Sequence, residues 1–169
     1  MGPEIVLIAA MDENKGIGKN GGMPGWNIPE DRRHFREATG SHPVIMGRKT
    51  LESLPNGQPL PKRRNIVISR TAGLLIPGCD VFHSIESALA YATILDRHQI
   101  SVIGGGEIYR LALPYADILY LTQVQGDFRC DVRFPDYEDL FRRAVSETDW
   151  QESNGFRFRF LPLVEKARY

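Results

Sequence analysis

The stretch QISVIGGGEIYRLALP, residues 99–114, decides the fold. It opens with a continuous apolar run, which is typical of a strand buried on both faces of a parallel sheet. Gly104, Gly105 and Gly106 then predict a tight turn, and a helix is expected from about Glu107 to a stop near Pro114. A buried strand that turns directly into a helix is the building unit of parallel α/β folds.

The same unit recurs along the chain. Further apolar runs predict strands at EIVLIAAM (4–11), HPVIMG (42–47), RRNIVISR (63–70), LLIPGCDVFHS (74–84, a short one) and DILYLTQVQGDF (117–128). Helices are predicted from Pro29 to about Thr39, at RKTLESL (48–54) and, capped by Ser84, at SIESALAYATILD (84–96). Near the end, phenylalanines alternate with arginines after Asn154-Gly155, which predicts an antiparallel hairpin.

We therefore expect one domain over 1–169, an α/β fold of three layers. It should have a mainly parallel central sheet, an antiparallel C-terminal hairpin and helices on both faces.

Composition limits the partners. The chain has 169 residues, and Lys plus Arg equals Asp plus Glu at 21 each, so its formal net charge is zero. Nothing in this balance favours nucleic acid or an anionic membrane, and any anion must meet a local basic cluster. Cys79 and Cys130 form no CxxC pair, which indicates free thiols in a reducing compartment such as the cytoplasm, and the four histidines show no metal-site spacing. A monomer without a metal is the expectation.

Two glycine motifs deserve different interpretations. Gly16 to Gly21 match GxGxxG, but no helix is expected before Pro29, so we interpret this segment as a mobile lid loop rather than a dinucleotide fingerprint. Gly104 to Gly106 stand directly between a strand and a helix, where backbone N–H groups attract phosphate.

Two other strand ends resemble the one at Gly104 to Gly106, because they too carry groups that can bind phosphate. MGRKT (46–50) places Arg48 and Lys49 on a first helical turn, and SRT (69–71) adds a hydroxyl and another arginine. Ligands of open α/β sheets lie beyond the carboxyl ends of the strands. Together these ends predict a ligand with more than one phosphate, and the basic excess suits the extra 2′-phosphate of NADP.

One carboxylate stands where an apolar residue belongs. At helical spacing, the inward face of the helix from Pro29 holds Ile28, Asp31, Arg32, Phe35 and Ala38, with Asn27 as the expected cap. No Walker A motif, GxSxG elbow or Cys/His nucleophile pattern is present in the sequence. Asp31 is therefore the candidate for acid chemistry.

These motifs together resemble a known family. The matching segments are IVLIAAM (5–11), GIG (16–18), MPGWNIPED (23–31) with Phe35, PVIMGRKTLESL (43–54), PLPKRRNIVISR (59–70), VIGGGEIY (102–109), LYLT (119–122) and FPDY (134–137). In this order and spacing, over nearly the whole chain, they resemble dihydrofolate reductase in its bacterial form. The resemblance implies NADPH-dependent reduction of 7,8-dihydrofolate to tetrahydrofolate, with antifolates as further small-molecule partners.

The resemblance also implies roles for single residues. Asp31 would hold the pterin and promote protonation at N5, with Thr122 supporting it and Trp26 ordering nearby water. Arg63 would grip the α-carboxylate of the glutamate tail. The other implied substrate contacts are Ile8, Ala9, Arg32, Phe35, Leu60 and Ile103. The implied cofactor contacts are Ala10, Ile17, Gly18, Met23, Gly47, Arg48, Lys49, Thr50, Ser69, Arg70, Ile103, Gly104, Gly105, Gly106, Glu107, Ile108 and Tyr109.

Three departures from the family pattern keep alternatives open. Gly25 intervenes between Pro24 and Trp26, Arg32 takes a place that is often apolar, and Cys130 stands where glycine is common. Gly25 and Arg32 are features that could disable catalysis, which leaves a non-catalytic NADP- or folate-binding relative as one alternative. A reductase of another pterin or of a pyrimidine is the other, although the RRN segment after a proline-rich loop favours a substrate with a carboxylate tail.

Overall fold

The computed structural model describes residues 2–146 and 148–165. Residues 1, 147 and 166–169 of the expected domain lie outside the described residues. The strands are β1 (Glu4–Met11), β2 (Gly16–Gly18), β3 (Val44–Gly47), β4 (Asn65–Ile68), β5 (Cys79–Phe82), β6 (Gln99–Gly104), β7 (Ile118–Val124), β8 (Val132–Arg133), β9 (Phe141–Ala144), β10 (Gln151–Ser153) and β11 (Phe156–Glu165). The α-helices are α1 (Pro29–Thr39), α2 (Arg48–Ser53), α3 (Ile85–Leu95) and α4 (Gly106–Ala112).

Nine strands of the described chain form one mixed sheet, in the spatial order β10-β11-β7-β1-β6-β3-β4-β5, with β9 also paired to β11. The six strands from β7 to β5 in this order are mutually parallel. Strand β11 runs antiparallel to β7 and carries β10 as its hairpin partner. The predicted fold class is therefore confirmed, including the turn at Asn154 and Gly155, where both residues have positive φ.

Helices cover both faces of this sheet because alternate strand residues point to opposite sides. Ile45, Ile66 and Val102 belong to the large cluster on the side of α3 and α4. Their neighbours Val44, Val67 and Ile103 belong to a second cluster, which includes Leu51 of α2 and Phe35 of α1. These central strands are buried on both faces, which explains their nearly continuous apolar sequences.

The strand order places a crevice beside β1. The chain passes from β1 to β3, β4 and β5, then returns to insert β6 between β1 and β3 and adds β7 on the other side of β1. The order of the strands reverses there, and ligands of such sheets bind at this point, beyond the carboxyl ends. None of the helices in the described residues is long and apolar enough to cross a membrane.

Local details correct two expectations. Asn27 does not cap α1: the N-cap residue is Ile28, and the Asn27 side chain instead accepts a hydrogen bond from Arg32. The segment interpreted as a mobile lid is partly regular, because β2 pairs antiparallel with β8, 114 residues further on at Gly18 and Val132. Ser84, by contrast, caps α3 as predicted, with its Oγ accepting a hydrogen bond from the Ser87 N–H at 3.1 Å.

Candidate active site

A cleft of about 1340 Å³ opens where the parallel strands end. Residues at the ends of β1, β3, β4 and β6 line it, together with side chains of α1, α2 and α4. Ligand pockets usually have volumes of roughly 300–1,000 Å³. This cleft therefore has room for more than one small molecule.

Asp31, in the first turn of α1, lies in this cleft, and a residue of the sheet fixes its side chain by a hydrogen bond. Thr122 of β7 is almost fully buried, and its hydroxyl donates a hydrogen bond to Asp31 Oδ1 over 2.6 Å. Burial raises the pKa of the Asp31 carboxyl above its ordinary value. The Thr122 hydrogen bond and the charges of His34 and Arg32 offset part of that rise. Asp31 is thus a fixed carboxyl that takes up a proton more readily than a surface aspartate.

The walls beside Asp31 are apolar. Ile8, Ala9 and Ile103 from β1 and β6 line the cleft, as do Phe35 of α1 and Leu60 of the loop before β4. Tyr109 braces this wall, because its hydroxyl donates to the Ile8 carbonyl over 2.5 Å. Burial raises the pKa of the Tyr109 phenol, so this group stays a neutral donor. The arrangement suits a planar ring with one polar edge facing Asp31.

Glycines form the edge between β6 and α4. Gly104 has φ +119°, a conformation that side chains rarely adopt, and it is followed by a cis peptide bond to Gly105. A Cβ at Gly106 would lie 2.8 Å from Cγ1 of Val132, and one at Gly105 would lie 3.5 Å from the Thr50 hydroxyl. Close packing therefore leaves no room for a side chain at Gly106, whereas a Cβ at Gly105 would make only an ordinary van der Waals contact.

The basic residues of the predicted cofactor end meet at one rim. Arg48, Lys49, Ser69 and Arg70 all line the cleft. Arg48 pairs with Glu52 over 3.3 Å, and Arg70 pairs with Glu107 over 2.5 Å. Both pairs are well exposed, so each is worth little and can yield to a stronger anion.

Arg63 also lines the cleft and is fixed by two hydrogen bonds. Its Nε donates to the hydroxyl of buried Thr39 over 3.1 Å, and its Nη1 donates to the Pro61 carbonyl over 2.8 Å. Thr39 is itself tied to α1, because its hydroxyl donates to the Phe35 carbonyl. A guanidinium held in this way presents its remaining N–H groups in a defined direction, as carboxylate recognition requires.

The Gly-rich segment from Gly16 to Gly25, which we call the lid, brings Ile17, Gly18 and Met23 to the cleft. Its position depends on the loop before β8: Asp131 accepts a hydrogen bond from the Asn20 N–H and donates its own N–H to the Gly18 carbonyl, both over 2.9 Å. Buried Asp12 joins the same two segments, since its carboxylate accepts N–H bonds from Gly16 and Phe128.

Trp26 is placed differently from the other predicted site residues. The cleft lining, in the part of the chain that the structure describes, does not include Trp26. The Trp26 ring packs edge-on against the Phe128 ring, with 4.9 Å between the ring centroids. The extra residue Gly25 is exposed, and a Cβ there would meet nothing within 4 Å. Every other predicted site residue lines the cleft.

Sequence reasoning missed several lining residues. Arg36 had a usable signal, because it follows Arg32 by four residues and so shares its helix face. The others lie in loops or near the ends of helices and strands, and a single sequence carries no signal for them. The missed residues are Lys19, Gly21, Gly22, Arg36, Ser53, Leu54, Pro55, Pro61, Ile68, His83, Ser84, Arg110, Leu111 and Val132.

The fold and the cleft define an α/β protein whose site combines a half-buried acid, a glycine-lined edge and several basic residues. Comparison with known proteins gives the family: the model for dihydrofolate reductase matches residues 4–165. The chain belongs to the dihydrofolate reductase family.

Relatives and a solved structure agree with this assignment. The chain is 45% identical to the type 3 dihydrofolate reductase of Salmonella typhimurium, over 94% of this chain and 96% of that protein. It is 37% identical to dihydrofolate reductase of Bacillus subtilis (strain 168), over 96% and 95% of the two chains. The structure of dihydrofolate reductase from Enterococcus faecalis, complexed with NADP(H) and RAB-propyl, matches 97% of each chain with a TM-score of 0.86 and 28% identity.

Proposed function

We propose that this protein reduces 7,8-dihydrofolate to 5,6,7,8-tetrahydrofolate with NADPH, through Asp31. The observation that carries the mechanism is the half-buried Asp31 carboxyl, anchored by Thr122 beside apolar walls. Family membership gives the reaction, since the relatives are dihydrofolate reductases and the E. faecalis structure holds NADP(H). The protein is thus an NADPH-dependent oxidoreductase.

Asp31 has two tasks in this proposal. Its carboxylate accepts hydrogen bonds from the 2-amino group and a ring nitrogen of the pterin, which fixes the ring between Ile8, Phe35 and Ile103. Its raised pKa favours a proton near the ring, and this promotes protonation of the substrate at N5. Thr122 keeps the carboxyl in position throughout.

NADPH, when bound, supplies the hydride that C6 of the substrate receives while N5 takes the proton. The chain offers a fitting site for it, because Gly104, Gly105 and Gly106 line the cleft without side chains and close packing leaves no room for one at Gly106. Arg48, Ser69 and Arg70 would hold the 2′-phosphate. Lys49, Thr50, Gly47 and residues 104–109 would hold the pyrophosphate and nicotinamide. Ala10, Ile17, Gly18 and Met23 would cover the reacting rings and exclude water.

Arg63 would bind the α-carboxylate of the substrate's glutamate tail, with Leu60 against the benzoyl ring. The position of Trp26 against Phe128 supports a role in ordering the lid rather than contact with substrate. We further propose a monomer in the cytoplasm, where Cys79 and Cys130 stay reduced, with antifolates as competing ligands and without nucleic acid or membrane partners. The dihydrofolate reductase domain in this proposal covers residues 1–169.

The test is the loss of NADPH absorbance with dihydrofolate, measured beside NADH and beside Asp31→Asn. We expect turnover with NADPH, much slower turnover with NADH, and collapse in the variant at neutral pH. Binding of both ligands without turnover would instead support the non-catalytic alternative. Equal rates for the wild type and Asp31→Asn would remove Asp31 from the mechanism.

A further inference from the structure

His34, in the second turn of α1, is a titratable residue that the mechanism above does not use. Its side chain is half-buried and lies outside the cleft lining in the part of the chain that the structure describes. The ring packs against Phe160 of β11, with 4.3 Å between the ring centroids, and edge-on to Tyr120 of β7 at 6.1 Å. The imidazole therefore lies between α1 and the β7–β11 strand pair.

Asp31 and His34 are anchored on the same small area of the sheet. Thr122, which holds Asp31, is the register partner of Phe160, and Tyr120 lies two residues before Thr122 on β7. Residues two apart on a strand share a face, and opposed residues of an antiparallel pair have Cβ atoms roughly 4.5–5.5 Å apart. Asp31 and His34 are also three residues apart on α1, where side chains are neighbours. Helix and sheet thus both hold the imidazole close to the carboxyl.

The charges of the two groups act on each other. Burial lowers the pKa of the His34 imidazole, and the charges of Asp31 and Glu37 raise it. Burial raises the pKa of the Asp31 carboxyl, and the charge of His34 lowers it. Arg32 also lowers the pKa of Asp31, but an arginine is protonated at every working pH. Of these two cations, only His34 gains its charge as the pH falls.

The other groups that face His34 do not compete for this role. On α1, Glu37 is exposed to solvent, which screens its charge, and a side-chain hydrogen bond lowers the pKa of Glu30, so that carboxyl stays ionised. On β7, burial raises the pKa of the Tyr120 phenol, which therefore stays neutral. On β11, Phe160 and the residues two positions to either side of it carry no charge.

Resting on the proposed function, we propose that His34 is a positioning residue that acts through Asp31: the proton that its imidazole gains in mildly acidic solution keeps the Asp31 carboxyl ionised. The carboxylate can then still accept the hydrogen bonds of the pterin at pH values where an isolated half-buried carboxyl would be protonated. The ionised Asp31 favours the proton on His34 in the same way, so the two groups titrate as a coupled pair.

The first experiment follows both groups by NMR across pH, through the carboxyl carbon of Asp31 and Cε1 of the His34 ring. His34→Phe should raise the titration midpoint of Asp31, because the charge is lost while the ring contact with Phe160 is kept. Asp31→Asn should lower the midpoint of His34. The two shifts should be equal in size and opposite in sign, because the coupling between two sites is reciprocal. His98→Gln, which removes an exposed histidine elsewhere, should move neither midpoint.

The second experiment measures kcat/KM against pH, since this profile reports the titrating groups of the free enzyme. The limb of the profile that Asp31→Asn lacks belongs to Asp31. This limb should move to higher pH in His34→Phe, and by the same amount in His34→Gln, because both variants lack the charge although only one keeps the aromatic packing. It should stay in place in His98→Gln.

An Asp31 midpoint that is unchanged in His34→Phe, or a His34 midpoint that is unchanged in Asp31→Asn, would overturn the coupling. Limbs that differ between His34→Phe and His34→Gln would also overturn it, because they would assign the effect to packing. If one His34 variant fails to fold, the other still decides together with Asp31→Asn. Reciprocal NMR shifts without turnover overturn only the reductase, whereas turnover with independent titrations overturns only the role of His34.

Discussion

At the scale of single residues, the Asp31 carboxyl is expected to serve catalysis and, at neutral pH, to destabilise the folded protein. A carboxyl in an apolar wall suits proton chemistry, and Asn at this position keeps the shape but cannot exchange a proton. We expect Asp31→Asn to lower kcat/KM by at least roughly 100-fold at neutral pH, as loss of general acid–base catalysis does. The deficit should shrink at acidic pH, where solution protonates the substrate. Complete pH–rate profiles of both proteins check this, and parallel profiles would contradict it.

The same carboxyl should cost stability, and the sign follows from its raised pKa. A group whose pKa is higher in the folded state binds more protons when folded, so its contribution is full at low pH and is lost as pH rises through the folded pKa. Asp31→Asn should therefore melt at a higher temperature than the wild type at neutral pH, and the difference should narrow toward pH values below the ordinary aspartate range.

Melting curves across pH give the measurement for this second effect. Glu37→Gln is the matched control, because Glu37 is an exposed carboxyl on the same helix. Its melting temperature should stay close to that of the wild type throughout. A variant Asp31→Asn that is less stable than the wild type at neutral pH would show that the Thr122 hydrogen bond outweighs the burial of the charge.

At the scale of elements, the packing of the lid on the loop before β8 depends on Gly16. A Cβ at Gly16 would lie 2.5 Å from Cβ of Cys130 and 2.8 Å from Oδ1 of Asp12. Gly16→Ala should therefore displace β2 from β8, at about 1–3 kcal/mol of overpacking, and lower kcat. The added change Cys130→Gly removes the nearest atoms, so the double variant should recover part of both losses.

A double-mutant cycle on kcat and melting temperature measures this coupling. Gly25→Ala is the control in the same lid, since a Cβ there would meet nothing within 4 Å. It should leave stability nearly unchanged. Additive effects of Gly16→Ala and Cys130→Gly would show that the lid adapts without strain at this contact.

The elements that could be predicted from the sequence are those whose reasons are local. Strand β3 is apolar because both its faces are buried, and Ser84 caps α3 through a hydrogen bond three residues away. The β2–β8 pair escaped prediction because it joins short segments far apart in sequence, with no hydrophobic alternation. The Asn27 cap failed for a different reason, because its side-chain oxygen accepts a hydrogen bond from Arg32 five residues further on.

At the scale of the whole molecule, the cleft depends on the order of strands. Motifs at the ends of β3, β4 and β6 could be expected to meet, since parallel strands share their carboxyl edge. The crowding of Arg36 with Arg63 could not, because it depends on how α1 lies against the loop after α2, which a single sequence does not specify. Distant segments therefore line one site, and a ligand in it should stabilise them together.

This coupling gives a prediction about cofactor choice. NADPH binds only the folded cleft, so it should raise the melting temperature, with about 2.7 kcal/mol of stabilisation at a concentration 100 times its dissociation constant. NADH lacks the 2′-phosphate that Arg48 and Arg70 are proposed to meet, so at equal concentration its shift should be smaller. Arg70→Gln and Arg48→Gln should reduce the NADPH shift toward that of NADH while leaving the NADH shift nearly unchanged.

Thermal denaturation with both nucleotides, at low and at high salt, measures these differences in melting temperature. Added salt should reduce the advantage of NADPH, because Arg48 and Arg70 are exposed. Equal shifts for the two nucleotides would move the 2′-phosphate site away from the rim formed by Arg48 and Arg70.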